Sequence, residues 1–340
     1  MSAEALRPEV DPVRFEVIRN ALLAITEEMG ATLRRAAYST NIKTRGDFSC
    51  AFFDKNVRTI AQAFAQPSHL GSLAHIVPYA LKEYGADLLQ PGDGILINDP
   101  YLGGVHLNDI TLITPVFDQD ELFGYVANIA HHVDVGGGAP GSIGVSEEIY
   151  QEGVVIPPIR FVRDGQIDRD LFSVIRSNFR GTREISGDFR AQTAANRLGV
   201  QRLTALLEKY GATELNRYLD EMLCYTERRA IGAFAEFPDG TFSAESYMDG
   251  DGVGDEPIKL AATVHIKSGK IQIDVSGCDS QTPSPTNATY AQTYSGVVYV
   301  LKCLIDPDIQ VNDGFYRLID IKTRSGSVVA AQHPAAVAAG

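Results

Sequence analysis

The apolar residues of this chain change their spacing after the first long segment, and that change constrains the fold more than any other feature. Residues 12–37 carry apolar side chains three and four positions apart, which predicts one long amphipathic helix. Asp11 is its expected N-cap and Pro12 its first helical residue. The following segments 49–53 and 57–60 look instead like two strands joined by a turn. The chain is therefore expected to mix helices with strands.

Later segments continue this mixture without a regular alternation. Helical spacing recurs at 70–85, 189–210 and 213–234. Strand patterns occur at 95–98, 110–117, 122–130, 258–266, 270–275 and 327–331. Because no strand–helix–strand unit repeats, a doubly wound sheet is not supported, and we predict an α+β fold. An N-terminal helix and a mixed-sheet region come first, a β-rich region begins near residue 235, and the chain looks truncated or split at its C-terminus.

Composition and charge exclude several classes of protein. With 340 residues and 44% hydrophobic side chains, the chain is long and apolar enough for about two globular domains. Its formal net charge of −13 argues against a nucleic acid or an anionic membrane as partner. No run approaches the roughly 18 apolar residues of a membrane span, and the first eight residues lack the pattern of a secretory signal. Four scattered cysteines are typical of buried, reduced thiols, so we expect a cytoplasmic protein.

Histidine and aspartate concentrate in one part of the sequence. His106 and Asp109 are three residues apart, so one tight bend can aim both at the same point. His131 and His132 are adjacent, and if they continue the preceding strand they point to opposite faces, so that only one joins the site. Imidazole and carboxylate together suit Zn, Mn or Fe. Each residue alone is more often a turn former or a satisfied polar group, but the cluster, which includes Asp134, favours a metal site whose fourth ligand the spacing leaves open.

Three further features admit two interpretations each. The glycine-rich run 136–142 is either an anion-binding loop of backbone N–H groups or a loop that needs unusual backbone angles. Five arginines form a locally basic stretch, either ion-paired on a solvated face or recognising a carboxylate, carbonate or phosphate group: Arg160, Arg163, Arg176, Arg180 and Arg183. Three glutamates serve as acid/base groups or as helix caps: Glu147, Glu148 and Glu152. The sequence has neither a phosphate-binding loop nor a dinucleotide-binding fingerprint, so it shows no ATP site of its own.

Several long motifs, in order, resemble the hydantoinase B/oxoprolinase family over almost the whole chain. They are TRGDFSC at 44–50, the segment 66–72 with His69, NDPYLGGVHLND at 98–109, AHHVDVGG at 130–137, QEG at 151–153, SPTN at 284–287 and NDG at 312–314. This family includes the B subunit of N-methylhydantoinase, the C-terminal half of ATP-dependent 5-oxoprolinases and a related subunit of acetone and acetophenone carboxylases. Fuller members continue beyond the point where this chain stops.

The resemblance implies a set of site residues. The metal ligands of the family map onto Asp47, His106, Asp109 and His131, and the ion would be Zn, Mn or Fe. Three other residues would be catalytic, facing the substrate or supporting the ligands: His69, His132 and Asp134. Residues 1–235 would then form the metal-binding catalytic region, and 236–340 a β-rich region that is incomplete at its C-terminus.

The resemblance also implies a function and a partner. The chain would be the metal-binding subunit of an ATP-dependent cyclic-amide hydrolase, in a hetero-oligomer with a larger A-type subunit that binds Mg-ATP and activates the substrate. It would complete ring opening of that substrate. The alternatives are a subunit of an ATP-dependent ketone carboxylase and, outside enzymes, a metal-stabilised scaffold subunit.

Overall fold

A computed structural model describes residues 10–64 and 66–340 of the chain. The first eight residues, which the secretory-signal prediction concerns, lie outside the described residues. The helices are α1 (Pro12–Ala36), α2 (His69–Tyr84), α3 (Arg169–Asn178), α4 (Thr182–Tyr210), α5 (Ala212–Phe234), α6 (Tyr290–Ile305) and α7 (Asp313–Tyr316). The strands are β1 (Phe48–Asp54), β2 (Thr59–Phe64), β3 (Gly94–Ile97), β4 (Asp109–Asp118), β5 (Glu121–His131), β6 (Ile159–Arg163), β7 (Gln166–Ile167), β8 (Gly240–Met248), β9 (Ile258–Lys267), β10 (Lys270–Asp274) and β11 (Ile319–Lys322).

Helix α1 forms for the reasons its sequence predicts. A side-chain oxygen of Asp11 accepts a hydrogen bond from the Arg14 N–H at 2.8 Å, and Pro12 occupies the first helical position. The apolar residues at three- and four-residue spacing, from Phe15 to Leu33, are buried along one face. Among the described residues, no helix has both the length and the apolar content that a membrane crossing requires.

The larger sheet has seven strands in the order β2-β1-β5-β4-β3-β6-β7, and every neighbouring pair is antiparallel. Strands β4 and β5 form the long central hairpin that the sequence predicts. The absence of parallel pairs from this sheet agrees with the predicted α+β class.

Alternation along the strands assigns each side chain to one of two layers. On β1, Cys50 and Phe52 face a core built with α1 and α4, whereas Ala51 and Phe53 face a core built with α2. On β5, Ile129 likewise lies on the α2 side. The sheet is therefore sandwiched between helices, and residues of odd number at this end of β1, β4 and β5 point towards α2.

The second sheet has the order β11-β10-β9-β8, with β10 and β11 parallel. The periodicity missed α6, which packs its apolar face against this sheet and against α2. Its sequence is rich in valine, tyrosine and leucine, so local composition favours a strand, and the helix depends on tertiary packing. The strand predicted at 327–331 is wrong, because those residues form turns with isolated bridges. The division at residue 235 stays a prediction.

The last residues return to the first sheet region. The buried carboxylate of Glu152 accepts hydrogen bonds from the backbone N–H groups of Val337 and Ala338. The hydroxyl of Tyr101 donates to the Ala335 carbonyl. These contacts hold the segment beside the loop that precedes β4 and the loop that follows β5. None of the cysteines in the described residues forms a disulfide, and Cys303, contrary to expectation, is exposed.

Candidate metal centre

Two acidic side chains and one imidazole lie where three neighbouring strands begin or end. Asp109 opens β4 and lies directly opposite His131, the last residue of β5. Asp47 immediately precedes β1, and its carbonyl accepts the backbone N–H of His131 at 3.0 Å. All three positions have odd numbers on adjacent strands, so their side chains share the α2 face of the sheet. Strand register thus assembles residues that are up to 84 positions apart in sequence.

His106 joins from the turn before β4. Its carbonyl accepts the Asp109 N–H at 3.1 Å, and its own N–H donates to Asp109 Oδ2 at 3.0 Å, which closes the three-residue bend that the sequence predicts. The Nδ1 atom of His106 then lies 3.2 Å from Asp109 Oδ2. On the other oxygen, His131 Nδ1 lies 2.8 Å from Asp109 Oδ1. One carboxylate therefore contacts two imidazoles.

His69, the first residue of α2, extends towards the cluster from the helix that covers this face of the sheet. Its Nε2 lies 3.6 Å from Asp109 Oδ1 and 3.9 Å from Asp47 Oδ1. Its Nδ1 lies 3.2 Å from the Ser49 hydroxyl, which orients the ring. Because the His69 side chain is 1% exposed, it is held away from bulk water. Sequence reasoning missed Ser49, although it lies two residues after Asp47 and strand alternation places both on one face.

The electrostatics of the cluster centre on Asp109. Burial raises the pKa of this carboxyl, but the charge of His131 and hydrogen bonds from three histidines outweigh burial and hold its pKa well below the usual range. Burial also lowers the pKa of His131, and the facing Asp109, with a further contribution from Asp47, more than reverses that effect and raises it. The cluster is thus a buried set of strongly coupled charges.

The residues fit a divalent cation. Among the described residues, His106, Asp109 and His131 offer one ligand atom each, and these atoms all lie within 4.8 Å of one another. The buried Nε2 of His106 has no hydrogen-bond partner in the described part of the chain, and the buried Nδ1 has only its contact with Asp109 Oδ2. Since buried polar atoms are ordinarily satisfied, this imidazole is suited to an ion. Nitrogen and carboxylate donors together are typical of Zn, Mn or Fe.

His132 lies apart from this cluster, on the other face of the sheet. As expected for the neighbour of His131, its ring packs on Phe189 of α4 with centroids 4.6 Å apart, and its Nε2 is 3.0 Å from the Gln192 side-chain oxygen. Burial lowers its pKa. The structure therefore brings His69 to the candidate ligands but directs His132 into the layer between sheet and helix.

Asp134 also lies outside the cluster. Its carboxylate accepts the backbone N–H groups of Gly136 and Gly141 and pairs with Arg180 at 3.0 Å. The hydroxyl of Ser142 accepts two further N–H groups of the same loop, from Val135 and Gly137. The glycine-rich run thus uses its backbone donors internally, and the interpretation of this run as an anion-binding loop is wrong.

The basic stretch and the glutamates are also largely engaged within the chain. Arg160 pairs with Asp93, and Arg163 pairs with Asp168. Glu152 is the most buried of the three glutamates, and it holds the C-terminal segment. These contacts favour the structural interpretation for Arg160, Arg163 and Glu152.

Comparisons with known proteins agree on one family. The sequence profile described as Hydantoinase B/oxoprolinase matches residues 11–340. The chain is 41% identical to an uncharacterized protein of Methanocaldococcus jannaschii, over 97% of this chain and 59% of that protein. It is 33% identical to 5-oxoprolinase 1 of Arabidopsis thaliana, over 97% of this chain and 28% of that protein. It is 30% identical to the putative B subunit of a D-/L-hydantoinase from a Pseudomonas species, over 94% of this chain and 57% of that protein.

Solved structures share the fold. The ATP-dependent caprolactamase from Pseudomonas jessenii superposes with a TM-score of 0.89 at 30% identity, over 97% of this chain and 57% of that chain. A nucleotide-free acetone carboxylase superposes with a TM-score of 0.91 at 18% identity, over 97% of this chain and 46% of that chain, a likeness of fold alone. The chain therefore spans less than two thirds of each of these proteins.

Proposed function

This chain belongs to the hydantoinase B/oxoprolinase family, and on that premise we propose that it is the metal-binding B-type subunit of an ATP-dependent cyclic-amide hydrolase. In this proposal a larger A-type subunit uses Mg-ATP to activate a lactam or hydantoin ring. The present chain then completes ring opening within the hetero-oligomer. The division of labour accounts for a sequence that shows no ATP-binding motif of its own.

The convergence of His106, Asp109 and His131 is the observation that carries the proposal. Their ligand atoms lie within 4.8 Å of one another, and the buried Nε2 of His106 has no hydrogen-bond partner among the described residues. We add Asp47 as the fourth ligand, because its carboxylate faces the same cluster and its charge acts on His131. Two carboxylates and two imidazoles would leave a divalent ion, Zn, Mn or Fe, nearly neutralised.

The chain's own residues divide the work of hydrolysis. When bound, the ion would polarise the ring carbonyl and lower the pKa of a water molecule towards neutrality. Asp109 orients His106 and His131 through its two oxygens. His69 places Nε2 beside both carboxylates, where it can hold or pass a proton, and Ser49 keeps its ring in that orientation.

The predicted catalytic roles of His132 and Asp134 stay untested, and their contacts support a positioning role. Asn108 Nδ2 donates to the His132 carbonyl and to the Gly141 carbonyl, which ties the turn after β5 to the turn before β4. Asp134 holds the loop that begins at Gly136. We assign both residues to keeping His131 and Asp109 in register.

The relatives favour amide hydrolysis over ketone carboxylation. The named relatives and the structure that are 30% or more identical are an oxoprolinase, a putative hydantoinase subunit and a caprolactamase. The carboxylase is 18% identical and supports the fold alone. Ketone carboxylation is thus the competing outcome of the substrate test.

The test combines metal analysis with reconstitution. We would measure bound metal by mass spectrometry on the chain purified without chelator, and then on Asp47→Ala and His106→Ala. The expected result is about one divalent ion in the wild type and little in the variants. ATP consumption by the chain reconstituted with an A-type partner is then followed with a lactam or hydantoin, and separately with a ketone and bicarbonate.

The outcomes separate the alternatives. Turnover with the lactam or hydantoin that disappears in folded, assembled ligand variants supports the hydrolase. Turnover only with ketone and bicarbonate assigns the carboxylase. Loss of assembly together with activity in every ligand variant assigns a scaffold role. Full metal content and activity in His106→Ala would overturn the site itself.

A further inference from the structure

A trough lies on the α4 face of the large sheet, opposite the face that carries the metal centre. Two cavities of about 450 and 460 Å³ adjoin there, beside the β6–β7 hairpin turn. Their walls share four residues, Gly165, Gln166, Thr193 and Arg197, so they form one continuous feature. Together they have the size of a small-molecule site, and they share no residue with the histidine–aspartate cluster.

Three arginines line this trough, and each lacks a side-chain partner in the part of the chain that the structure describes. Arg197 borders both cavities, and Arg169 and Arg190 border the second. The other wall residues contribute a single carboxylate, Asp164. In a chain of net charge −13, three unpaired guanidinium groups on one concave surface form a localised positive potential.

The first cavity has a different character from the second. Its walls include Pro91, Pro115, Val162 and Val200, which offer an apolar surface. The side-chain amide of Gln201 stands among them. An apolar compartment with a few hydrogen-bonding groups, next to a cationic compartment, matches a ligand with an apolar organic body and an anionic end.

The shape of the trough does not depend on a ligand, because backbone contacts hold the turn at Gly165 against the turn at Gly92. Asp164 and Gly165 both have positive φ, 47° and 73°, and make the two-residue turn between β6 and β7. The Gly165 N–H donates to the Gly92 carbonyl at 2.8 Å. A Cβ on Gly92, whose φ is 87°, would lie 3.0 Å from the Gly165 nitrogen. The part of the wall that both cavities share at Gly165 is therefore held by backbone contacts with Gly92.

We propose that this trough binds an organic phosphate of the nucleoside diphosphate class. The phosphate groups would contact Arg169, Arg190 and Arg197, and the organic body would occupy the apolar compartment at Pro91 and Val200. Three guanidinium groups present more donors than one carboxylate has acceptors, whereas a diphosphate offers oxygens and charge for all of them. This site is independent of the metal centre and of the proposed hydrolysis.

Binding of ADP to the full chain, measured by isothermal titration calorimetry at low ionic strength, tests the proposal. We expect one site, with affinity that falls as salt is added. Arg197→Gln and Arg190→Gln should each weaken binding by about tenfold, the loss of one charge-assisted contact. The matched control is Arg183→Gln, also exposed and seven residues before Arg190 on α4 but outside both cavity walls; it should bind ADP as the wild type does.

Two further ligands test the cationic and the apolar compartments of the trough separately. Adenosine, which lacks phosphate, should bind at least about tenfold more weakly than ADP, and pyrophosphate should bind more weakly because it leaves the apolar compartment empty. Equal affinity for pyrophosphate and ADP would overturn the assignment of the organic body. Absence of ADP binding to the wild type, or unchanged binding in the folded Arg190→Gln/Arg197→Gln double variant, would overturn the site. Metal content should be unchanged in every variant.

Discussion

Replacing Asp109 by asparagine tests the metal centre more sharply than any other single change. The substitution keeps the shape of the side chain and removes its charge. Its amide oxygen can still accept the His106 N–H, now at 3.0 Å from Oδ2. The amide nitrogen must then face His131, where Oδ1 now lies 2.8 Å from Nδ1. The backbone turn is expected to survive while the charged contact is lost.

The size of the effect follows from burial. The Asp109 side chain is 1% exposed, and removing one partner of such a buried charge pair costs about 3 kcal/mol. An unfolding entropy of roughly 2.1 cal/mol/K per residue over this chain converts that loss to a Tm lower by about 4 °C. A divalent ion at one hundred times its Kd adds about 2.7 kcal/mol to the wild type, or about 4 °C. We call this rise in Tm on metal binding the metal increment, and we expect Asp109→Asn to lose it as well.

The pH dependence has a definite sign in metal-free protein. The raised pKa of His131 makes the Asp109–His131 contact stabilising below about pH 6.5 and lost as pH rises through that raised value. The lowered pKa of Asp109 makes the contact stabilising above about pH 4 and lost as pH falls through the lowered value. The loss of unfolding free energy in Asp109→Asn should therefore be largest between about pH 4 and about pH 6.5. Metal binding needs neutral imidazole, so the metal increment should instead grow as pH rises.

Differential scanning calorimetry after chelation, and again with added Zn, Mn or Fe, measures both quantities. The matched control is Asp54→Asn, which removes another buried carboxylate, 2% exposed and paired with Arg58 at the opposite end of β1. That variant should lose stability and retain the full metal increment. If Asp109→Asn kept the metal increment and bound metal of the wild type, the assignment of Asp109 as a ligand would be refuted.

Three further predictions concern the surroundings of the site. Ser49→Ala should lower kcat of the reconstituted complex by about tenfold through misorientation of His69, with metal content unchanged; loss of metal would contradict a positioning role. Asp134→Asn should lower the free energy of unfolding, measured by urea titration, by about 2 kcal/mol near neutral pH. Because the contacts of this carboxylate lower its pKa despite burial, the difference from the wild type should vanish as the pH falls through that lowered pKa. Gly71→Ala would place a Cβ 2.5 Å from the Tyr294 ring and should destabilise the chain by about 2 kcal/mol. Its control, Gly296→Ala, has open space at its Cβ and should stabilise α6 by up to about 1 kcal/mol. Equal changes of Tm in the two variants would refute the packing of α2 on α6.

Local pattern predicted the parts of this molecule that depend on near neighbours. The cap and the buried stripe of α1, the β4–β5 hairpin and the bend from His106 to Asp109 all arise from residues a few positions apart. The opposite orientations of His131 and His132 follow from strand alternation in the same way. Helix α6 was missed because its composition is ambiguous, and its packing partners come from other parts of the chain.

Residue spacing also left the fourth ligand open, and the family resemblance supplied Asp47. In the structure the Asp47 carboxylate lies 3.9 Å from His69 Nε2 and outside the group of His106, Asp109 and His131, and its position depends on the register in which β1 pairs with β5. That register depends on Gly124, where a Cβ would lie 2.3 Å from the Phe53 carbonyl oxygen. A shift of one residue would turn every side chain of β1 to the other face. The register depends on contacts between two strands that are distant in sequence, so the sequence of either strand alone does not predict it.

The sequence by itself determined which residues form helices or hairpins at short range, the residue types available for a cation, and the family to which the chain belongs. Tertiary structure alone decided which of those residues meet. It brought His69 and Ser49 to Asp109, directed His132 towards α4, and left the arginines of the trough without partners among the residues that the structure describes. The reason is physical: periodicity encodes the face on which a side chain lies, whereas distances between faces depend on packing that joins distant segments.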